Sequence, residues 1–173
     1  MLQTFFRNKN ISKILKLRLK STIRDTTLTY ASETWTLRKR ERKQINISET
    51  KVYRRILGPV YDNKKVNWGI LTNKEIYAMV KKPTVTETIR LNRLCWFGHI
   101  QRMEENIIPK KVLYMNLETT RLRGRPRKRW QEEVREDGRL VVGRGWKKRV
   151  YNGEEWKKIL RTGSRRILHM PME

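Results

Sequence analysis

One cysteine, two histidines and seventeen acidic residues are all that this 173-residue chain sets against forty-two Lys and Arg. With Cys95 alone, no intramolecular disulfide framework can exist, which suits a reducing, intracellular compartment. A closed zinc site is not expected on ligand number. Cys95 and His99 stand one helical turn apart, but zinc needs four ligands, or three and a water, and His169 lies in the expected tail. His99 is instead expected to pack beside Trp96 or to meet a phosphate. Long apolar runs are missing too. Residues 1–20 mix Phe5, Phe6, Ile14 and Leu15 with Arg7, Lys9, Lys13, Lys16, Arg18 and Lys20, which suits neither a secretion signal nor a membrane span. A basic start also resembles a transit peptide, yet here the basic pattern continues along the whole chain.

What is present is positive charge. The formal net charge is +25, and such an excess repels itself until a polyanion neutralises it. Nucleic acid is the polyanion this composition fits, because each phosphate met by Lys or Arg releases condensed counterions. An anionic membrane fits less well, since no sustained basic helix has a clean apolar face. Charged residues make up 34% of the chain and the mean hydropathy is −0.81, so any core is thin. Six tryptophans can anchor small helical cores where aliphatic residues are scarce. Short packed units are expected rather than one deep core.

The periodicity is helical. Ile11, Leu15, Leu19 and Ile23 recur every fourth residue with Ile14 beside them, which predicts an apolar stripe with Lys13, Lys16 and Lys20 facing outward. Thr26, Thr27 and Thr29 predict that this helix weakens before Tyr30 and Trp35. A second helix is expected over 37–57, burying Ile45, Val52 and Ile56, with Gly58 in a left-handed C′ position and Pro59 as a stop. Residues 60–67 read as a polar connector. A short helix then carries Ile76, Tyr77 and Val80. Thr84 and Glu87 form a capping box, from which Val85, Ile89, Trp96, Ile100 and Met103 predict about five turns with Trp96 buried near the middle. Pro109 suits the first turn of a helix with Val112 and Leu113. Pro126 opens another with Trp130 and Val134, ending near Gly138. Gly143 and Gly145 precede Trp146 and Val150. Asn152 and Glu155 repeat the capping logic before Trp156, Ile159 and Leu160. The expected architecture is all-α, as short helices in two small units with a basic loop and a poorly ordered tail. Its segments are a helical part over 1–59, a connector with a short helix over 60–83, a basic Trp-anchored part over 84–162 and a tail over 163–173.

The densest basic run is Arg121-Leu-Arg-Gly-Arg-Pro-Arg-Lys-Arg-Trp130. Its centre, Arg123-Gly-Arg-Pro-Arg127, resembles an AT-hook, in which Gly and Pro keep the backbone narrow enough for arginine to enter a minor groove of enhanced negative potential. The plainer alternative is a solvated basic loop making phosphate contacts. The binding residues expected from sequence are Arg121, Arg123, Arg125, Arg127, Lys128 and Arg129, with Arg93 and Arg102. Asp137, Glu155 and Lys157 imitate a magnesium nuclease triplet, but such triplets are common in charged chains and Glu155 already serves as a cap. No nucleophile triad, phosphate-binding glycine loop or paired aspartates are present. No catalytic residue, metal, cofactor or small-molecule substrate is therefore expected.

Four phrases in order, Tyr30-Ala-Ser-Glu-Thr-Trp35, Arg93-Leu-Cys-Trp-Phe-Gly-His-Ile-Gln-Arg-Met103, Gly124-Arg-Pro-Arg-Lys-Arg-Trp130 and Glu154-Glu-Trp156, resemble the C-terminal part of the reverse transcriptase of non-LTR retrotransposons. The resemblance runs from about residue 15 to 160. It implies a thumb-like helical segment and a basic helical tail that grips template RNA, target DNA or both, in the nucleus. The sequence departs from the family at Ala31, Cys95 and Gly153, where Gly, a basic residue and Arg are usual, as in a degenerate or domesticated copy. The family's metal-binding aspartates belong to a palm that would precede Met1, so the expectation is a non-catalytic piece. A small nuclease and a fossil reading frame with no selected activity are the alternatives.

Overall fold

A computed structural model describes residues 2–62, 67–115 and 129–167. Among the described residues the chain is all-α apart from one two-stranded ribbon. Its described residues divide into two compact units, one within 2–32 and 37–88, the other within 33–36 and 89–167. The expected connector over 60–83 therefore belongs to the first unit.

In the first unit α1 (Leu2–Arg7) is followed by α2 (Lys13–Leu19), a π-helical stretch (Lys20–Asp25) and α3 (Thr26–Thr29). The expected burial is inverted here. Ile14 is 68% exposed, with Leu15 and Ile23 also on the surface, whereas Lys16 is buried and Lys20 is only 1% exposed. The reason is electrostatic. A buried carboxylate on the next helix, Glu49, needs a cation, and Lys20 Nζ lies 2.9 Å from Glu49 Oε1, from Asp25 Oδ2 and from the Tyr53 hydroxyl. A π turn closes on the fifth residue rather than the fourth, so Lys20 and Asp25 come over one another. The threonines do not stop the helix. Thr27 and Thr29 hydroxyls donate to the carbonyls of Ile23 and Asp25 at 2.6 and 2.8 Å, and Thr26 to that of Thr22.

Helix α4 (Lys39–Leu57) matches the expected span. Val52 and Ile56 are buried against Phe6, and Tyr53 and Leu57 against Ile76. Ile45 is half-buried. Gly58 ends the helix at φ 73° and ψ −175°; the positive φ is as expected, but the ψ is extended, a region open essentially to glycine alone. The residues read as a connector instead form a hairpin, β1 (Val60–Asp62) paired antiparallel with β2 (Asn67–Gly69). Cross-strand aromatic pairing accounts for it: Tyr61 lies opposite Trp68, their rings edge to face at 5.4 Å. Helix α5 (Asn73–Val80) buries Ile76 and starts at Thr72.

Helix α6 (Val85–Gln101) begins in the first unit and belongs to the second from Ile89 on. The second unit adds α7 (Ile108–Tyr114), α8 (Trp130–Val141), α9 (Trp146–Arg149) and α10 (Gly153–Ile167). Pro109 sits in the first turn of α7 as expected. Gly138 does not end α8, which runs on to Val141, with Gly143 turning at φ 90°. Helix α10 continues to Ile167, past the point where the tail was expected at residue 163.

Two glycines admit two tryptophans to this core. A Cβ on Gly138 would stand 2.6 Å from the Trp146 indole, and one on Gly98 would overlap Trp156 Nε1 and Cδ1. Trp156 Nε1 donates to the Leu94 carbonyl at 3.1 Å, and Trp146, Trp156, Leu94, Val134 and Val150 pack as one cluster. With Gly98 facing this cluster, Trp96 falls on the flank of α6. It is 36% exposed, not buried as expected, and lies 5.6 Å from His99, the neighbour expected for that histidine.

Glutamates close four helix starts. Glu41, Glu75, Glu87 and Glu132 accept the backbone N–H of Arg38, Thr72, Thr84 and Arg129 at 2.8, 2.7, 2.7 and 3.2 Å, which satisfies donors that the helix cannot. Asn152 Oδ1 accepts from the Glu155 amide at 3.2 Å.

Candidate nucleic-acid interface

Arg93 is the expected binding residue that the structure moves furthest. It is 1% exposed, with Nε 2.9 Å from Asp137 Oδ2 and Nη1 3.2 Å from Glu133 Oε2, and Nη1 also donates to the Trp35 carbonyl at 2.7 Å. A side chain so enclosed has no phosphate within reach, so its assignment to nucleic-acid contact is withdrawn. Its guanidinium fork instead holds two acids of α8 and residues 33–36 to α6. Trp130 assists, its Nε1 donating to the Glu33 carbonyl at 2.6 Å.

Arg102 is exposed, and one Nη donates to the Val150 carbonyl at 2.8 Å. Arg129 is exposed at the start of α8. Arg121, Arg123, Arg125, Arg127 and Lys128 lie outside the described residues, as does the AT-hook-like phrase they form.

Sequence reasoning missed two grooves that share Trp146, Lys147 and Lys148 of α9. The first, about 560 Å³, is lined by Arg129 and Arg135 of the α8 segment, Lys147 and Lys148 of α9, and the aromatic rings of Tyr114, Tyr151, Phe97 and Trp146. Met115 and Arg129, the described residues flanking the undescribed basic run, both line it. The second, about 640 Å³, is lined by Arg139, Arg144, Lys147 and Lys148 with Gly143, Gly145 and Trp146. Among the described residues no Asp or Glu lines either groove. The acids are engaged elsewhere. Glu41, Glu75, Glu87 and Glu132 hold helix starts, and Asp25, Glu49, Glu133 and Asp137 pair with Lys20, Arg93 and Arg90. The sequence signal was available in Lys147-Lys148-Arg149 after Gly145-Trp146, but periodicity marks it only as a short helix.

The buried polar cluster of the first unit is structural. Glu49 accepts from Lys20, from the Val85 amide at 3.1 Å and from the Tyr77 hydroxyl at 3.4 Å. Burial pushes the Tyr53 and Tyr77 phenols up. Burial also works to lower Lys20, but the Glu49 charge and the bonds to Tyr53 and Asp25 outweigh it and leave this ammonium raised. All three keep their neutral-pH protonation, so none is poised for proton transfer near neutrality.

The nuclease triplet is divided among separate duties. Asp137 pairs with Arg93 and Arg90, Glu155 Oε1 lies 3.9 Å from Arg149, and Lys157 pairs with Glu154 at 3.2 Å. Among the described residues no group of three or more His, Cys, Asp or Glu is placed to hold a metal. No helix among them is long and apolar enough to cross a membrane. Compared with protein-family models, curated proteins and solved structures, the chain matches none of them.

Proposed function

We propose that this chain is a nucleic-acid-binding module without catalytic chemistry of its own, derived from the C-terminal region of a non-LTR retrotransposon reverse transcriptase and acting on RNA or DNA in the nucleus. The observation that carries the binding reading is the pair of grooves about α9, rimmed by cations and lined by no acid among the described residues. Cations clustered without acids focus a positive potential, and neutralising several phosphates at once releases several counterions. The net charge of +25 supports the same reading along the rest of the chain.

The derivation is supported by where the four resembling phrases meet. Arg93 donates to Trp35, Trp130 to Glu33 and Trp156 to Leu94, and Phe97 packs against Trp130 at 6.3 Å. Residues far apart in sequence thus serve one core, which is how a set of separated phrases becomes a module. The test is affinity for mixed duplex, single-stranded DNA and RNA over a salt series, by fluorescence anisotropy. Tight binding at low salt that weakens steeply as salt rises is expected; an absence of binding at low salt would remove the reading.

A further inference from the structure

We infer that the groove between α7, α8 and α9 is a stacking site for the unpaired bases of single-stranded nucleic acid, with Tyr114 and Tyr151 as the stacking rings. The inference rests on the nucleic-acid reading above and narrows it to one form of polymer. Tyr114 is 62% and Tyr151 63% exposed, and both line the same groove as Arg129, Arg135, Lys147 and Lys148. Single exposed aromatics are ordinary on a protein surface. Two that line one groove with four cations, together with buried Val134 and Trp146, are not what phosphate binding alone requires. Duplex phosphates are satisfied by the cations, and duplex bases hide their faces in the helical stack. A single strand presents both phosphates and free base faces, and a charged groove with exposed rings matches both.

The geometry also lowers the cost of ordering. The Tyr114 hydroxyl donates to Gln101 Oε1 at 2.7 Å, and Gln101 itself is buried. The ring is thereby held before any base arrives, so less rotamer freedom is lost on binding. Gln131 similarly reaches the Leu113 carbonyl and ties α8 to α7 beneath the rim. The readout is sequence-tolerant, since every base has a face to stack and no base-edge hydrogen bond is involved.

The test uses the full chain with labelled oligothymidylate and oligouridylate of about twelve nucleotides, an abasic strand of equal length and a mixed duplex, a length within the usual single-strand site sizes. The base-bearing strands should bind at least about tenfold more tightly than the abasic strand. Tyr114→Ala with Tyr151→Ala should erase that advantage while leaving abasic and duplex affinity within about twofold, because phosphate contacts remain. Tyr114→Phe with Tyr151→Phe keeps the rings and should retain the preference, which guards against a loss caused by misfolding. Equal affinity of the intact chain for base-bearing and abasic strands would overturn the stacking site while leaving the nucleic-acid reading in place. So would equal losses on every ligand in the Ala variant with its helical circular dichroism unchanged. If the intact chain bound none of the four ligands, both readings would fail together.

Discussion

The Nε of Arg93 stands 2.9 Å from Asp137 Oδ2, with the arginine 1% exposed and the aspartate wholly enclosed. A charge pair at such depth gains little net stability over an apolar replacement, but removing one member strands the other in a medium that solvates it poorly. Here the stranded charge would include Glu133 as well.

Arg93→Ala is therefore expected to destabilise the second unit by about 3–5 kcal/mol, read from urea unfolding followed by tryptophan emission. Arg93→Lys keeps the charge but cannot span both acids and the Trp35 carbonyl, and should cost about 1–3 kcal/mol. A change under about 1 kcal/mol in Arg93→Ala would restore the residue to the surface role that its sequence context suggested.

Replacing Gly138 by Ala places a methyl group 2.6 Å from the Trp146 ring, where the aromatic edge cannot swing aside. Overpacking of this kind costs about 1–3 kcal/mol. The same change at Gly153, whose Cβ would meet only the Arg102 side chain at 3.4 Å, is the milder comparison. Equal melting temperatures for the two variants would contradict the glycine and tryptophan pairing.

Arg135→Ala with Lys147→Ala and Lys148→Ala should weaken nucleic-acid binding more than Lys39→Ala with Arg40→Ala and Lys43→Ala. The two triplets remove equal charge, the first from the groove rim and the second from the exposed face of α4. Lys13, Lys16 and Lys20 are unsuitable as the comparison, since two of them are buried. Arg123→Ala with Arg125→Ala and Arg127→Ala forms a third arm; loss of any preference for A·T-rich duplex in that arm alone would mark a minor-groove reader. Equal losses in all arms would mean that charge acts without regard to place.

High pH should undo the first unit. Lys20 is raised above 10.5 in the fold, so its contribution is complete below that value and disappears as pH climbs through the folded pKa. Tyr53 and Tyr77 are raised above 10.0. Each must stay neutral while folded but can ionise once unfolded, which also lowers stability above about pH 10. An alkaline titration followed by tyrosinate absorbance should show two late phenols ionising together with loss of helix. Six tyrosines titrating independently, with helix intact, would contradict the buried cluster.

Several helix starts were legible from local chemistry, though Thr72 with Glu75 went unread. Thr84 with Glu87 and Asn152 at α10 were readable because a cap depends on neighbours three residues apart. Arg38 with Glu41 and Arg129 with Glu132 escaped, since the N-cap residue there contributes only its amide and the sequence shows no Ser or Thr. Faces were less legible than spans. Lys20 reads as solvated until Glu49, 29 residues on, is known to be buried, and Trp96 reads as core until Gly98 is seen to receive Trp156. The hairpin at Tyr61 and Trp68 escaped because three-residue strands carry almost no alternation. Of the binding residues, Arg129 and Arg102 were found on the surface, but the groove assembles from Tyr114, Arg135 and Lys147, whose proximity is a tertiary fact.

The π turn at Lys20–Asp25 sets how this chain tolerates deletion. A π turn is an α-helix carrying one surplus residue, so loss of Ser21 or Thr22 leaves a sequence that closes as an uninterrupted α-helix from Lys13 onward. The backbone ladder would be the better for it. With that residue gone Asp25 follows Lys20 by four places instead of five, and residues four apart on an α-helix are again neighbours on one face, so Asp25 stays beside the ammonium that Glu49 and Tyr53 also hold. A frame-preserving deletion here therefore repairs the helix and spares the Lys20 cluster, whereas a deletion in the middle of α4 turns every later residue of that helix by about 100° against those before it.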